Sequence, residues 1–330
     1  MNVQLSVLDQ SPVPEGFSAG DALANSVHLA QETENFGYRR YWVAEHHNSA
    51  GLAGSSPEIL IGQIAASTAS IRVGSAGVML SHYSPLKVAE NFRVLEAMHP
   101  GRIDLGLGRA PGSDPITARA LSQTGQPISV EYYPSMVAEV REFLTDDIAS
   151  NPSGFTVRAR PETDGIPEIW LLASSQDSVA LAAHLGLPIG WAHFINPTGA
   201  EILHAYRAQY QPSDAFPEPR VALATGVICA ETADEAHHLA TSIQTWRAQG
   251  LGGKIPEPGD PAQARSALSV ATQHQRSKPL IVGTPVDVKE QLEQLAEKFG
   301  ADELVIVTIT HSHTARVRSY ELLAEVWGDA

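Results

Sequence analysis

Short apolar runs alternate with longer amphipathic stretches along the whole of this chain. Runs rich in β-branched, aromatic and small residues occur at 3–8, 40–44, 71–80, 103–107, 168–173, 188–193, 221–229 and 303–308, and each reads as a strand, eight in all. Most are continuously apolar, as expected of parallel strands covered on both faces. Between them, Ser56-Pro57, Ser84-Pro85, Asn196-Pro197 and Thr284-Pro285 set a capping side chain before a proline, the signature of a helix start. Gly37, Gly101, Gly186 and Gly300 close helical stretches over 23–36, 86–99, 178–185 and 286–299. The repeat predicts an α/β protein, a (β/α)8 TIM barrel forming one domain over 1–330. The alternative is a doubly wound open sheet, which would need edge strands and has no midway linker to support it. Two segments break the rhythm and read as insertions. One, 151–167, follows the fourth strand; the other, 250–279, follows the seventh, and its Gly- and Pro-rich opening makes it a candidate lid or a passive insertion.

Composition narrows the function. With 43% hydrophobic residues in 330, the chain can bury a large core, and no apolar run approaches the roughly 18 residues of a membrane span. The start, Met1-Asn2-Val3-Gln4-Leu5, lacks the basic flank and cleavage site of a secretory signal, so a cytoplasmic location is expected. A formal charge of −15, spread along the chain, disfavours nucleic acid and anionic membranes as partners. Cys229 stands alone, so no intrachain disulfide and no cysteine metal cluster is expected, and the residue reads as core.

Unusual residues gather where four strands end, the face on which barrels of this kind keep their chemistry. The second strand runs into Glu45-His46-His47. The third contains Gly74-Ser75-Ala76-Gly77, small enough for something flat to approach the backbone. The fourth ends Gly106-Leu107-Gly108-Arg109-Ala110-Pro111-Gly112, an arginine among glycines; the Gly106-x-Gly108 pair alone is explained by a tight turn. The fifth ends Ser174-Ser175-Gln176-Asp177-Ser178 and enters a helix, in outline an anion site, though serines there can also simply cap the helix. Neighbouring strand residues face opposite sides, so His46 and His47 do not form a metal site; no metal is expected, and His47 reads as a packing residue.

Taken in order, these residues resemble the bacterial luciferase-like flavin-dependent monooxygenases, single-chain branch. The resemblance runs through Ala44-Glu45-His46-His47, Ile71 to Leu80, Pro85 to Glu96, Pro100 to Arg109, the serine turn with Ala182 to Pro188, and Ser319 to Ala324. It implies a monooxygenase in which reduced FMN, delivered by a separate NAD(P)H:flavin reductase, reacts with O2 to a C4a-peroxide that oxygenates a small organic substrate. His46 would be the catalytic histidine, working near its ordinary pKa. Glu45, Ala76, Gly77, Arg109, Ser174, Ser175 and Ser178 would bind the cofactor. Of these, Ala76-Gly77 would form a cis peptide under the ring, and Arg109 with the serines would surround the phosphate. His82, Tyr83, Trp191 and His193 are candidates for the substrate pocket. Two departures separate the chain from luciferase itself: Gly108 stands where that enzyme has a reactive cysteine, and His193 where it has an indole. Light emission and a long-chain aldehyde are therefore not implied. A deazaflavin (F420)-dependent hydride-transfer enzyme and a non-catalytic flavin-binding protein remain alternatives. Relatives pair through helices near the second and third strands, here 57–67 and 86–99, which implies a homodimer.

Overall fold

The computed structural model describes residues 3–109, 114–122, 125, 128–146, 157–271 and 278–328. Ten strands are found among them: β1 (Gln4–Asp9), β2 (Arg40–Val43), β3 (Arg72–Ser75), β4 (Val78–Met79), β5 (Ile103–Gly108), β6 (Glu168–Ala173), β7 (Ile189–Ala192), β8 (Val221–Cys229), β9 (Ile281–Gly283) and β10 (Glu303–Val307). Eight of them, all but β4 and β9, pair in parallel in the order β10-β1-β2-β3-β5-β6-β7-β8, and β8 pairs back onto β10. The sheet is a closed (β/α)8 barrel. Closure leaves no edge strand, which removes the open-sheet alternative.

Helices α1 (Ala19–Asn35), α2 (Pro57–Ser67), α3 (Pro85–Met98), α4 (Pro115–Leu121), α5 (Tyr133–Thr145), α6 (Gln176–Leu185), α7 (Ala200–Gln209), α8 (Ala233–Ala248), α9 (Pro261–Ala271), α10 (Pro285–Phe299) and α11 (His313–Gly328) connect and cover the strands. No described helix is long and apolar enough to cross a membrane. Strand residues alternate: Tyr41, Val43, Leu105, Leu107 and Trp191 join the core between barrel and helices, whereas Leu8, Trp42, Trp170 and Val305 fill the interior.

The amino end of the interior is closed by charge. Arg40 is 1% exposed; its Nη1 donates to Asp104 (2.9 Å) and Glu168 (3.1 Å), and its Nε to Glu303 (3.0 Å). Arg72 Nε reaches Asp104 Oδ1 at 2.8 Å, Trp42 Nε1 donates to Asp104 Oδ2 at 2.9 Å, and Ser6 Oγ donates to Glu303. Each buried charge therefore has opposite charges beside it, the condition for tolerating it. Trp42 and Trp170 meet edge to face above this layer, centroids 5.1 Å apart.

Several local expectations change. The stretch 71–80 is not one strand: β3 ends at Ser75, the Ala76–Gly77 peptide is cis, as the resemblance implies, and the chain resumes as β4, paired with β5. Gly74 is small because of β5 and not because of a ligand; a Cβ there would lie 2.5 Å from the Asp104 Cβ. Asn196-Pro197 heads a turn, Asn196 Oδ1 accepting from Thr198 N–H (3.1 Å) and Oγ1 (2.9 Å), and α7 starts only at Ala200. Strand β9 is unanticipated because three residues carry too little pattern. The 250–279 segment contains α9, packed on α8, and its opening is anchored: Ile255 is buried and exchanges backbone hydrogen bonds with Val13 and Glu15. Residues 272–277 of that segment, 151–156 of the other insertion, and Ala110-Pro111-Gly112 lie outside the described residues.

Candidate active site

A cavity of about 450 Å³ opens at the carboxyl ends of the barrel strands. It exists because the inward-facing residues on one side of the barrel are small: Gly77, Gly108, Gly190, Ala192, Ala222 and Ala224 all line it. Leu8, Trp42, Leu172 and Phe194 make its apolar surface. A larger groove of about 680 Å³ lies near the amino ends of β6 and β8, between α5 and the 213–216 turn, away from the face where barrel enzymes work.

His46 reaches the cavity because parity continues past β2. Trp42 and Ala44 face inward, and so does His46, its N–H held by the Gly54 carbonyl at 2.8 Å. Its Nδ1 is buried and has no hydrogen-bond partner among the described residues. Burial, with the charges of His47 and Lys278 adding to it, pushes the imidazole down to about 4. The expectation of an ordinary pKa is thus corrected, since no carboxylate pairs with the ring and water is largely excluded.

Glu45 faces the other way and is fully buried. Its carboxylate is shared among His47 Nε2 (2.7 Å), the Tyr83 hydroxyl (2.8 Å) and the Met79 N–H (2.9 Å). It ties the end of β2 to β4 and the turn after it, behind the cavity wall rather than in it. The Tyr83 phenol is pushed upward by burial and the adjacent Glu45 charge, so it stays protonated as donor. The His82 ring stands edge-on to His47 at 6.0 Å and to Tyr83 at 6.4 Å.

The polar end of the cavity joins β5 to α6. Arg109 Nη2 donates to Ser175 Oγ at 3.0 Å, Ser175 and Ser178 Oγ atoms are 3.4 Å apart, and Arg109 Nη1 lies 3.5 Å from the exposed Asp177. Ser175 is the N-cap of α6, yet its side chain makes no capping bond, which leaves the first N–H groups of the helix without a side-chain acceptor from it. Ser174 lines the same end, its carbonyl fixed by Asn196 Nδ2 at 2.9 Å.

Of the sequence candidates, the structure brings His46, Ala76, Gly77, Arg109, Ser174, Ser175 and Ser178 to one cavity. It places Glu45, His82 and Tyr83 behind the wall. Trp191 and His193 are corrections, because β7 points Gly190 and Ala192 inward and turns both of them outward. Trp191 Nε1 donates to the Asn196 carbonyl at 3.0 Å, and His193 Nδ1 meets Thr225 Oγ1 at 3.0 Å, its ring edge-on to Phe299. The same two-residue alternation would have identified Leu8, Leu172 and Phe194, which motif reading missed. Among the described residues no cluster of side chains could hold a metal ion.

The comparisons with known proteins agree with this geometry. Residues 3–303 match the model of the luciferase-like monooxygenase family. A Bacillus subtilis protein, YwcH, is 44% identical, covering 99% of this chain and 100% of its own. The N-acetyl-S-alkylcysteine monooxygenase of the same bacterium is 38% identical, covering 98% of each chain. The crystal structure of apo-MsnO8 superimposes with a TM-score of 0.88 at 39% identity, covering 99% of this chain and 98% of that one. With a barrel closed at its amino end, a histidine in its cavity and a match over nearly its full length, the chain belongs to the luciferase-like monooxygenase family.

Proposed function

We propose that this enzyme uses reduced FMN and O2 to oxygenate a small organic substrate. The observation that carries the reading is the joining, in one cavity, of an anion cradle at Arg109 and Ser175 with a buried, unpartnered nitrogen on His46. The residues fit the cofactor. Arg109, Ser174, Ser175, Ser178 and the α6 N-terminus would hold its phosphate, charge-assisted on one side and by backbone N–H groups on the other. Ala76 and Gly77 offer a wall nearly free of side chains for a flat ring. Bound reduced flavin supplies the electrons that activate dioxygen.

The chain's own residues do the rest. Leu8, Trp42, Leu172 and Phe194 exclude water, which protects reactive species from hydrolysis. His46 is neutral at pH 7, so Nδ1 can give or accept a hydrogen bond and take a proton without an initial charge. Glu45, next to His46 in the chain, is a positioning residue, tying the end of β2 to Met79 of β4 and to Tyr83. Every described strand belongs to the one barrel or pairs with it, and on that ground we read reduced flavin as delivered by a separate NAD(P)H-dependent reductase. The buried free thiol of Cys229 suits a reducing cytoplasm. Ile59 on α2 (72% exposed) and Met98 on α3 (62%) offer an apolar face for a homodimer.

The test is to load the protein anaerobically with reduced FMN and mix it with oxygenated buffer. Reoxidation slower than that of free FMN, and product formation from N-acetyl-S-butylcysteine or another small organic substrate, are expected. Reoxidation at the free rate, or hydride transfer supported by F420 in its place, overturns the reading.

A further inference from the structure

Arg247 lies near the end of α8 and leans over β8. Its Nη2 stands 3.8 Å from where a Cβ on Gly226 would be. Gly226 continues the alternate series begun by Ala222 and Ala224, which line the cavity, so the guanidinium sits one pleat farther toward the mouth. Arg247 Nη1 donates to the Lys278 carbonyl at 3.0 Å, which brings a second cation to the same rim. The Lys278 charge is felt at His46, which lines the cavity.

Two like charges side by side repel, and burial disfavours both. Arg247 is pushed down to about 10 by burial, and Lys278 is lowered by burial and by Arg247. No carboxylate among the described residues offsets either. Carboxylates are not scarce here: the chain has 37 acidic residues against 22 basic ones. Elsewhere its buried arginines are matched, Arg40 by Asp104 and Glu303, and Arg316 by Asp9. A pair of cations with no carboxylate against it among the described residues, one pleat beyond the cavity lining, suits an anion.

We infer that Arg247 and Lys278 seat the anionic head of the substrate, which is a small organic acid whose carboxylate lies at the mouth while its other end reaches into the cavity. Among the described residues Arg247 has N–H groups left on Nε and Nη2, a planar fork suited to a single carboxylate, and Lys278 adds a point charge on a flexible stem. The pair is separate from Arg109, which hydrogen-bonds at the β5 and α6 side. As a statement about substrate the inference rests on the monooxygenase reading, but the binding step can be measured without it.

The experiment is calorimetric titration of the wild type, Arg247→Gln and Lys278→Gln with three carboxylates, N-acetyl-S-butylcysteine, 4-phenylbutyrate and octanoate, each against its carboxamide. FMN is titrated separately into the same proteins and into Arg109→Gln. We expect at least one carboxylate to bind tenfold or more tighter than its amide, both rim variants to abolish that preference, and FMN affinity to fall only in Arg109→Gln. No preference for any carboxylate, or a preference retained in both variants, overturns the inference. So does loss of FMN affinity in Arg247→Gln equal to that in Arg109→Gln, which would assign Arg247 to the cofactor. Failure of the wild type to bind FMN would instead count against the flavin reading, and the carboxylate titrations would still decide this one. Lys278 is the more exposed of the two, so its variant guards against misfolding of the other.

Discussion

Arg109 Nη2 and Ser175 Oγ, 3.0 Å apart, join the end of β5 to the first turn of α6. Neither residue is near the other in sequence, and the bond aligns a guanidinium with a helix N-terminus toward one point. Arg109→Gln removes a charge-assisted contact worth roughly 1.5–3 kcal/mol, or about 10- to 150-fold in FMN affinity. Fluorescence titration should show that loss with the melting temperature little changed. Equal FMN binding by wild type and variant would remove Arg109 from the phosphate site.

Replacing His46 with alanine should reduce product formation by about 10²- to 10⁴-fold, the usual size of an acid–base contribution, while FMN affinity stays within a few fold. Because burial holds its pKa near 4, the wild-type rate should show no limb at 6.5 from this residue. A limb at 6.5 that disappears in His46→Ala would show the imidazole to be solvated.

Glu45 is a structural junction. Glu45→Ala leaves His47, the Tyr83 hydroxyl and the Met79 N–H without their acceptor, a cost of about 1–3 kcal/mol for each buried group that cannot find water. Chemical denaturation should register several kcal/mol of lost stability, and Tyr83→Phe only about 1. A Glu45→Ala protein as stable as wild type would place that carboxylate in solvent.

Acid should weaken the fold in a definite window. His46 and His193 are both held near 4, below the ordinary 6.5, mainly by burial. Above about 6.5 neither the folded nor the unfolded chain protonates them, so their neutral burial costs nothing in pH terms. Between about 6.5 and 4 the unfolded chain binds protons that the folded one refuses, and stability falls as pH falls. Calorimetric melting temperatures measured from pH 7.5 to 4.5 should decline over that range, and His193→Asn should flatten the decline. A flat profile in the wild type would contradict the assignment.

The apolar faces of α2 and α3 predict association. Light scattering should give a dimer for the wild type and a monomer for Ile59→Glu combined with Met98→Glu. A monomeric wild type would leave those side chains merely exposed.

How much could be read in advance differs from residue to residue. The eight barrel strands are legible because continuous apolar runs flanked by proline and glycine leave few other readings. His46 is legible through alternation from Trp42. Trp191 and His193 were misplaced because the reading followed a resemblance at those positions and not the alternation of β7, which sends both outward. The pairing of Arg109 with Ser175 depends on barrel closure, and the low pKa of His46 on burial and on Lys278, so neither could be seen in a local pattern. The cis peptide at Ala76–Gly77 is legible through the resemblance, but the end of β3 there and the pairing of the resumed chain with β5 are not, because the apolar run continues on both sides of the small residues.

The ionic layer around Arg40 has a consequence for traffic. It plugs the barrel at one end, so among the described residues the interior is a blind alley entered from the carboxyl ends of the strands. Two molecules that share such a space must enter in sequence, the deeper one first, and leave in the reverse order. Whatever occupies the wall at Ala76 and Gly77 must therefore be in place before its companion arrives at the rim, and an excess of the companion alone should act as an inhibitor by blocking the way in.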